Sequence, residues 1–117
     1  IAWNGSAESA RAVGAAMPFL ENAGSVTVVT GNEGELPESS GDELIKYLAW
    51  HGISANSRIV EVNDRPIGEV LLETATDIKA DMLVMGAYSH SRLREYIFGG
   101  ATRYILDEGN LPVFMAH

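Results

Sequence analysis

Five short apolar runs, separated by segments with helical spacing, constrain the fold of this chain more than any other feature. In chain order the runs are Ile1–Trp3, Val26–Thr30, Ser57–Val62, Met82–Met85 and Val113–Ala116. Strands that alternate with helices need crossover connections, which make the strands parallel and place helices over both faces of the sheet. The second and fourth runs are apolar nearly throughout, as in strands covered on both sides. The pattern therefore predicts an α/β fold with a three-layer, doubly wound, five-stranded parallel sheet.

Capping and breaking residues predict where the intervening helices begin and end. Ser6 or Ser9 can accept the free amides at the start of the first helix. The second helix is expected to stop at Gly52, and Pro66 suits the first position of the third. Four aromatic side chains are predicted to pack in the core or between helices rather than to stack on a ligand. They are Trp3, Phe19, Tyr47 and Trp50.

The charge balance bears on the class of ligand. The chain has 117 residues, which suits a single domain, and carries 8 Lys and Arg against 16 Asp and Glu. This acidic balance argues against a nucleic-acid partner, because such binders neutralise phosphates with clustered basic side chains. Between residues 86 and 105, however, Arg92, Arg94 and Arg103 outnumber the single acid Glu95. The segment is a candidate anion site, with pairing to nearby acids as the alternative.

Cysteine content and apolar run length bear on the compartment. The chain has no cysteine, and its apolar stretches are far shorter than the roughly 20 residues that cross a bilayer. These features predict a cytoplasmic protein with no membrane contact. Ile1–Trp3 is shorter than the about five or six residues usual for a strand. The first strand of this domain, residues 1–117, is therefore expected to be truncated at its start, in a fragment or in the second half of a longer protein.

Glycines punctuate the segment that follows the fourth run. Gly86 closes that run and lets the chain turn above the carboxyl edge of the sheet, where the turn Asn4-Gly5-Ser6 is also expected. The adjacent Gly99 and Gly100 would each cost about 1 kcal/mol inside a helix, so they predict a break. The last helix is then expected to begin near Gly100, where its free amides and positive dipole end form an anion cradle.

These segments resemble the universal stress protein family. The resemblance is carried by residues 81–92, by Phe98-Gly99-Gly100 and by residues 111–115, and it extends along the whole chain. It implies a five-stranded parallel sheet between helices. In nucleotide-binding members, ATP is held by Gly, two residues, Gly, nine residues, Gly and Ser or Thr. Gly86 and Gly99 match the first and third glycines, whereas Ser89 replaces the second and Gly100 replaces the hydroxyl residue.

The resemblance also implies a set of binding residues for ATP or a related adenine nucleotide. Asn4 stands where binding members have an acid, and the backbone of Val28 or Val29 is expected to contact adenine. Thr102, in the expected first turn of the last helix, can supply a hydroxyl, and Arg92 can contact a phosphate. The implied binding residues are Asn4, Gly5, Ser6, Val28, Val29, Met85, Gly86, Ser89, His90, Arg92, Gly99, Gly100, Ala101 and Thr102.

No residue pattern predicts catalysis or a metal site. His90 lies between two serines, but sequence neighbours rarely point at each other in hydrogen-bonding geometry, so we interpret it as a loop or phosphate-contacting residue. The histidines at 51, 90 and 117 lack metal-ligand spacing. The sequence offers neither an activated nucleophile nor a carboxylate pair for magnesium. We therefore predict no enzyme, with slow ATP hydrolysis left open, and no metal encoded by the protein.

The last apolar run predicts a partner. If the runs, numbered along the chain, lie in the order 3-2-1-4-5, residues 112–116 form an edge strand. An apolar unpaired edge is an aggregation hazard unless something covers it, and family members commonly pair this strand in a homodimer or between tandem halves. The leading hypothesis is an ATP-binding, dimerising stress-response domain. The alternative is an interaction module with a degenerate phosphate loop that binds no nucleotide.

Overall fold

Helices and strands alternate along the whole chain. The computed structural model describes residues 1–32, 40–88 and 92–117, with the backbone alone at residues 40 and 92–99. Its elements are α1 (Ala7–Glu21), β1 (Val26–Gly31), α2 (Ser40–Trp50), β2 (Ala55–Val60), α3 (Ile67–Asp77), β3 (Leu83–Gly86), α4 (Arg92–Glu108) and β4 (Val113–Ala116). The predicted α/β class is confirmed. None of the helices in these ranges is long and apolar enough to cross a membrane.

The strands form two parallel pairs that the beginning of the chain connects. β1 pairs with β2, and β3 pairs with β4. Ala2 forms isolated parallel bridges to both Val29 in β1 and Met85 in β3. Its amide donates to the Val84 carbonyl at 2.8 Å, and the Trp3 amide donates to the Val29 carbonyl at 2.9 Å. The predicted first strand is thus reduced to the one bridged residue Ala2, because three residues are too few for a continuous ladder of hydrogen bonds. The five-stranded sheet and its strand order stay a prediction.

The core lies in two layers, one on each side of the strands. Val28 and Val84 pack with α1 and α2, whereas Val29 and Met85 pack with α3 and α4. Successive residues of a strand point to opposite faces, so a strand buried on both sides must be apolar at consecutive positions. The prediction of helices on both faces is confirmed by this division.

Local signals placed the start of α1 and the end of α2 correctly. Ser6 caps α1, since its Oγ accepts a hydrogen bond from the Ser9 amide at 3.1 Å. Gly52 adopts φ of 76° just after α2, a conformation that glycine reaches without the strain of a Cβ. Pro66 was expected at the first helical position, but it is the cap residue before α3. Its ψ of 126° is extended rather than helical, which corrects the predicted start by one residue.

The expected packing is confirmed for one of the four aromatic residues and wrong for the other three. Trp3 is half-buried against the core that contains α1 and α2. In contrast, Trp50 is 90% exposed, and Phe19 and Tyr47 are also exposed. α2 buries Leu48, and a residue two positions further along a helix lies about 200° around its axis. Trp50 therefore faces away from the core.

Candidate functional site

The turn after Trp3 is closed by its own side chains. Asn4 Oδ1 accepts a hydrogen bond from the Ser6 amide at 3.1 Å, and Gly5 between them adopts φ of 69°. Asn and Asp side chains favour such turns because they reproduce a backbone hydrogen bond. The Asn4 oxygen, expected among the nucleotide contacts, therefore holds the entry into α1.

Serine side chains then fix the first turn of α1. The buried Ser6 Oγ donates to Ser9 Oγ at 3.2 Å, in addition to accepting from the Ser9 amide. Ser9 Oγ donates to the Ser6 carbonyl at 2.9 Å. Because these hydrogen bonds satisfy one of the free amides of α1, Ser6 serves the helix as its cap.

Gly86 lies directly against this first turn. A Cβ built on Gly86 would lie 2.6 Å from the Ser9 nitrogen and 2.8 Å from the Glu8 carbonyl carbon. Both neighbours are backbone atoms of a capped helix, so they cannot rotate aside as a side chain can. The structure therefore brings together the two turns that the sequence placed at one edge, through the first turn of α1. It also assigns Gly86 a packing reason to be glycine, which the sequence did not reveal.

The strand residues of the predicted site have core side chains. Val28, Val29 and Met85 are all buried, so only their backbone groups can face a ligand. The Val29 amide donates to the Ile1 carbonyl at 2.8 Å, and the Val29 carbonyl accepts from the Trp3 amide. Both polar groups of Val29 are thus engaged within the sheet, and Val28 is aligned with Ser57 inside the β1–β2 ladder, so the structure favours neither valine for the predicted backbone contact to adenine.

The predicted beginning of the last helix is wrong. α4 starts at Arg92 and continues through Gly99 and Gly100. Each glycine costs about 1 kcal/mol in a helix, but tertiary packing routinely overrides such propensities. Here the following turn is anchored by the buried Ala101 and Ile105.

The earlier start of α4 changes where its predicted binding residues lie. Thr102 lies well inside α4, not in its first turn, and is 1% exposed. The expectation that its hydroxyl reaches a phosphate is therefore wrong for this conformation, and Ala101 is likewise buried. Gly100 is exposed, and among the described atoms a Cβ there would meet none within 4 Å.

The remaining predicted binding residues lie in or beside the segment of residues 89–99, of which the structure describes only part. Ser89 and His90 fall outside the described residues. For Arg92 and Gly99 the structure describes the helical backbone alone. Between β3 and this segment, the Ala87 amide donates to the Ala116 carbonyl at 2.8 Å, and Tyr88 adopts φ of 52°. The chain thus leaves β3 through a conformation that a bulky residue rarely adopts.

Charges near the site are partly paired. Arg103 Nε lies 3.7 Å from Asp107 Oδ2, one helical turn further along α4. For this arginine the structure favours the alternative of pairing with a nearby acid. Among the described side chains, no group of three His, Asp or Glu residues comes together to hold a metal ion.

Sequence reasoning missed an acidic groove between α3 and α4. Arg65 lines the groove and forms ion pairs with both Glu69 and Glu73. Hydrogen bonds to Glu69 and then Glu73 raise the pKa of Arg65. The groove measures about 500 Å³ and is lined by Arg65, Glu69, Leu72, Glu73, Thr76, Tyr104, Glu108 and Asn110. The signal in the sequence was the acids spaced four residues apart on one face of α3.

The fold and its match to a family model together give the class of this chain. The alternating helices and strands, with helices on both sides of the strands, define an α/β domain. The universal stress protein family model matches residues 1–117, so the chain belongs to that family. The resemblance seen in the sequence is confirmed. No curated protein matches the chain.

Solved structures share this fold at low sequence identity. A universal stress protein from Archaeoglobus fulgidus aligns with TM-score 0.71 and 18% identity over 99% of this chain and 95% of its own. A universal stress protein in complex with cAMP aligns with TM-score 0.66 and 18% identity over 100% and 94%. A protein of the universal stress protein family from Burkholderia pseudomallei aligns with TM-score 0.68 and 19% identity, over 98% of this chain and 91% of its own.

Proposed function

We propose that this domain binds an adenine nucleotide, ATP or a related one, at the carboxyl edge of its sheet. The observation that carries the proposal is the meeting of the Asn4–Ser6 turn with Gly86 across the first turn of α1. A universal stress protein with the same fold was solved in complex with cAMP, itself an adenine nucleotide, which supports this class of ligand.

The strand order that suits this site is 3-2-1-4-5, counting Ile1–Trp3 as the first and central strand. The bridges from Ala2 to both Val29 and Met85 support this order. The connection after Ile1–Trp3 packs α1 on one face, and the connection after β3 packs α4 on the other. Open α/β sheets bind ligands in the crevice between two neighbouring strands whose connections diverge in this way. Gly86 and the Asn4–Ser6 turn then flank the crevice.

The proposal includes binding without efficient catalysis. The sequence suggests neither an activated nucleophile nor a carboxylate pair placed for magnesium. We expect ATP hydrolysis to be slow or absent, no metal held by the protein alone, and no nucleic-acid partner. A cytoplasmic location suits these properties.

We also propose self-association through residues 112–116, in a homodimer or between tandem domains. β4 pairs with β3 on one side, and its residues are only half-buried. Phe19 of α1 is 54% exposed, and its ring centroid lies 5.9 Å from that of Phe114 in β4. An edge strand flanked by an exposed aromatic ring is a surface that a second copy can cover.

A second function has its own support. The burial of Thr102 and the engagement of Val29 remove two of the contacts that nucleotide binding was expected to use. In this alternative the loop after β3 is structural, and the domain acts only by association through β4.

Calorimetric titration with ATP, with and without magnesium, separates the two functions. Nucleotide binding predicts a saturable heat at millimolar nucleotide or below. Heats indistinguishable from dilution in both titrations would remove the nucleotide proposal and leave the interaction module.

Light scattering tests the association independently. We expect a dimer that Phe19→Lys weakens, because the new charge lies beside the edge strand. Trp50→Lys is the matched control, since Trp50 is more exposed and lies on α2, which packs against β1 and β2 instead. A strict monomer at high concentration would contradict association through β4.

A further inference from the structure

Asn4 is the one asparagine of this chain that a glycine follows. Asparagine is chemically labile, because the backbone nitrogen of the next residue can attack its side-chain carbonyl carbon. A Cβ on that next residue hinders the approach, and glycine has none. The asparagines that precede a residue with a side chain are Asn22, Asn32, Asn56, Asn63 and Asn110. The sequence therefore leaves the attack unhindered at Asn4 alone.

The hydrogen bond of the Asn4–Ser6 turn holds the two reacting atoms in one small ring. Asn4 Oδ1 accepts from the Ser6 amide at 3.1 Å, and the chain of covalent bonds between these two atoms includes both Asn4 Cγ and the Gly5 nitrogen. In an unfolded chain the side chain must first lose its rotational freedom before each attack, whereas the ring has already restricted it. The folded turn thus keeps the Asn4 side chain beside the nitrogen that attacks it.

No other hydrogen bond holds the reacting groups back. Within the described part of the chain, the Gly5 amide donates to no acceptor, and neither does Asn4 Nδ2. Gly5 is exposed, so a base in the solvent can reach its amide proton. The Gly5 nitrogen is therefore available as the nucleophile, and the side-chain nitrogen of Asn4 is free to leave.

The Ser6 amide donates to the atom that gains charge in the reaction. Attack on Asn4 Cγ turns Oδ1 into an oxyanion, and a donor already aimed at this oxygen stabilises the oxyanion more than the starting amide. Ser6 is also the cap residue of α1, so the positive end of the helix dipole lies on the same side. Both effects lower the barrier to the attack in the folded protein.

We propose that Asn4 is a site of spontaneous deamidation, which the folded turn accelerates. A base in the solvent removes the Gly5 amide proton, the Gly5 nitrogen forms a bond to Asn4 Cγ, and Nδ2 takes up a proton from water and leaves as ammonia. Water then opens the resulting succinimide. Cleavage of the new bond to Cγ gives aspartate, and cleavage of the bond between the Gly5 nitrogen and the Asn4 main-chain carbonyl carbon gives isoaspartate. The net reaction consumes water, releases ammonia and adds a negative charge to the turn.

The aspartate product suits the turn in which it forms. A carboxylate oxygen at position 4 accepts the hydrogen bond of the Ser6 amide more strongly than a neutral amide oxygen does. Isoaspartate instead adds a carbon to the main chain between Trp3, whose amide donates to the Val29 carbonyl, and the Ser6 cap. The turn acquires its carboxylate as the molecule ages, and the reaction requires neither an enzyme nor a nucleotide.

Peptide mapping by mass spectrometry measures the deamidation of each asparagine in the folded protein during incubation in mildly alkaline buffer. We expect Asn4 to be converted while Asn32 stays unchanged. Asn32 is the matched control, because its Oδ1 also accepts from a backbone amide, that of Val62 at 3.3 Å, but Glu33 follows it. An unconverted Asn4, or conversion of Asn32 at the same rate, would overturn the proposal.

Two variants of Ser6 test the role of its amide. Ser6→Pro removes the donor to Asn4, and the φ of −77° at Ser6 is one that proline adopts. Ser6→Ala is its control, because it loses the same capping hydroxyl and keeps the amide. We expect Asn4 to deamidate about tenfold more slowly in the proline variant than in the alanine variant, since a hydrogen bond to a charged oxygen is lost. Equal rates in the two folded variants would refute the proposal.

The wild-type protein in urea gives a test that does not depend on either variant folding. Unfolding breaks the ring between Asn4 and Ser6 and leaves the Asn-Gly sequence unchanged. We expect Asn4 to deamidate about tenfold more slowly in urea than in the folded protein at the same pH, because the oxyanion then loses its donor. An equal or faster rate in urea would show that the folded turn does not accelerate the reaction.

Discussion

Substituting alanine for Gly86 tests whether this motif glycine serves packing as well as any ligand. The added Cβ would meet the Ser9 nitrogen at 2.6 Å and the Glu8 carbonyl carbon at 2.8 Å. Real Cβ atoms do not approach backbone this closely, so either β3 or the first turn of α1 must shift. The Ser6 cap holds that turn in place, which makes the shift costly.

The expected cost follows from measured overpacking. Extra methyl groups in a packed core destabilise proteins by about 1–3 kcal/mol, and rigid backbone on the receiving side places Gly86→Ala near the upper value. A loss of about 3 kcal/mol in a domain of 117 residues lowers the melting temperature by roughly 10 °C. Urea unfolding followed by circular dichroism measures the free energy of unfolding. The measurement is made without nucleotide, so that a change in stability reflects packing and not a change in ligand binding.

Gly100→Ala is the control for Gly86→Ala, because the same change in open space should stabilise the protein by up to about 1 kcal/mol. The two substitutions are thus expected to have opposite signs. If the free energy of unfolding of Gly86→Ala lies within about 0.5 kcal/mol of the wild-type value, the close approach of α1 to β3 is refuted.

Three further predictions concern the core, the cap and the motif. Leu48→Ala should lower the free energy of unfolding by about 2–5 kcal/mol, because Leu48 is fully buried. Trp50→Ala on the same helix should change it by no more than about 0.5 kcal/mol. Equal losses for the two variants in urea unfolding would contradict the assigned faces of α2. Ser6→Ala should cost about 1 kcal/mol by the same measurement, and Ser6→Gly only a few tenths; no difference between them would argue against the cap. The double variant Ser89→Gly with Gly100→Ser restores the family motif and should lower the Kd for ATP severalfold in calorimetry. An unchanged Kd would mean that other residues limit binding.

The sequence predicted which turns lie together better than it predicted the last helix. The turn signals placed Asn4–Ser6 and Gly86 at one edge, and the structure brings them together. The same reasoning misplaced the start of α4 and the role of Thr102, because a glycine pair records only the local preference against helix. Burial of the next turn, which depends on α3, outweighs that preference.

Alternating apolar runs, caps and breakers were enough to determine the α/β class and the order of elements, because each of these depends on residues within a turn or two of one another. Three features depend on tertiary packing instead: Ala2 bridges β1 and β3, α4 is continuous, and Gly86 lies against Ser9. Those features arise from contacts between residues distant in the chain. Their energies depend on how whole elements pack, and no local pattern records them.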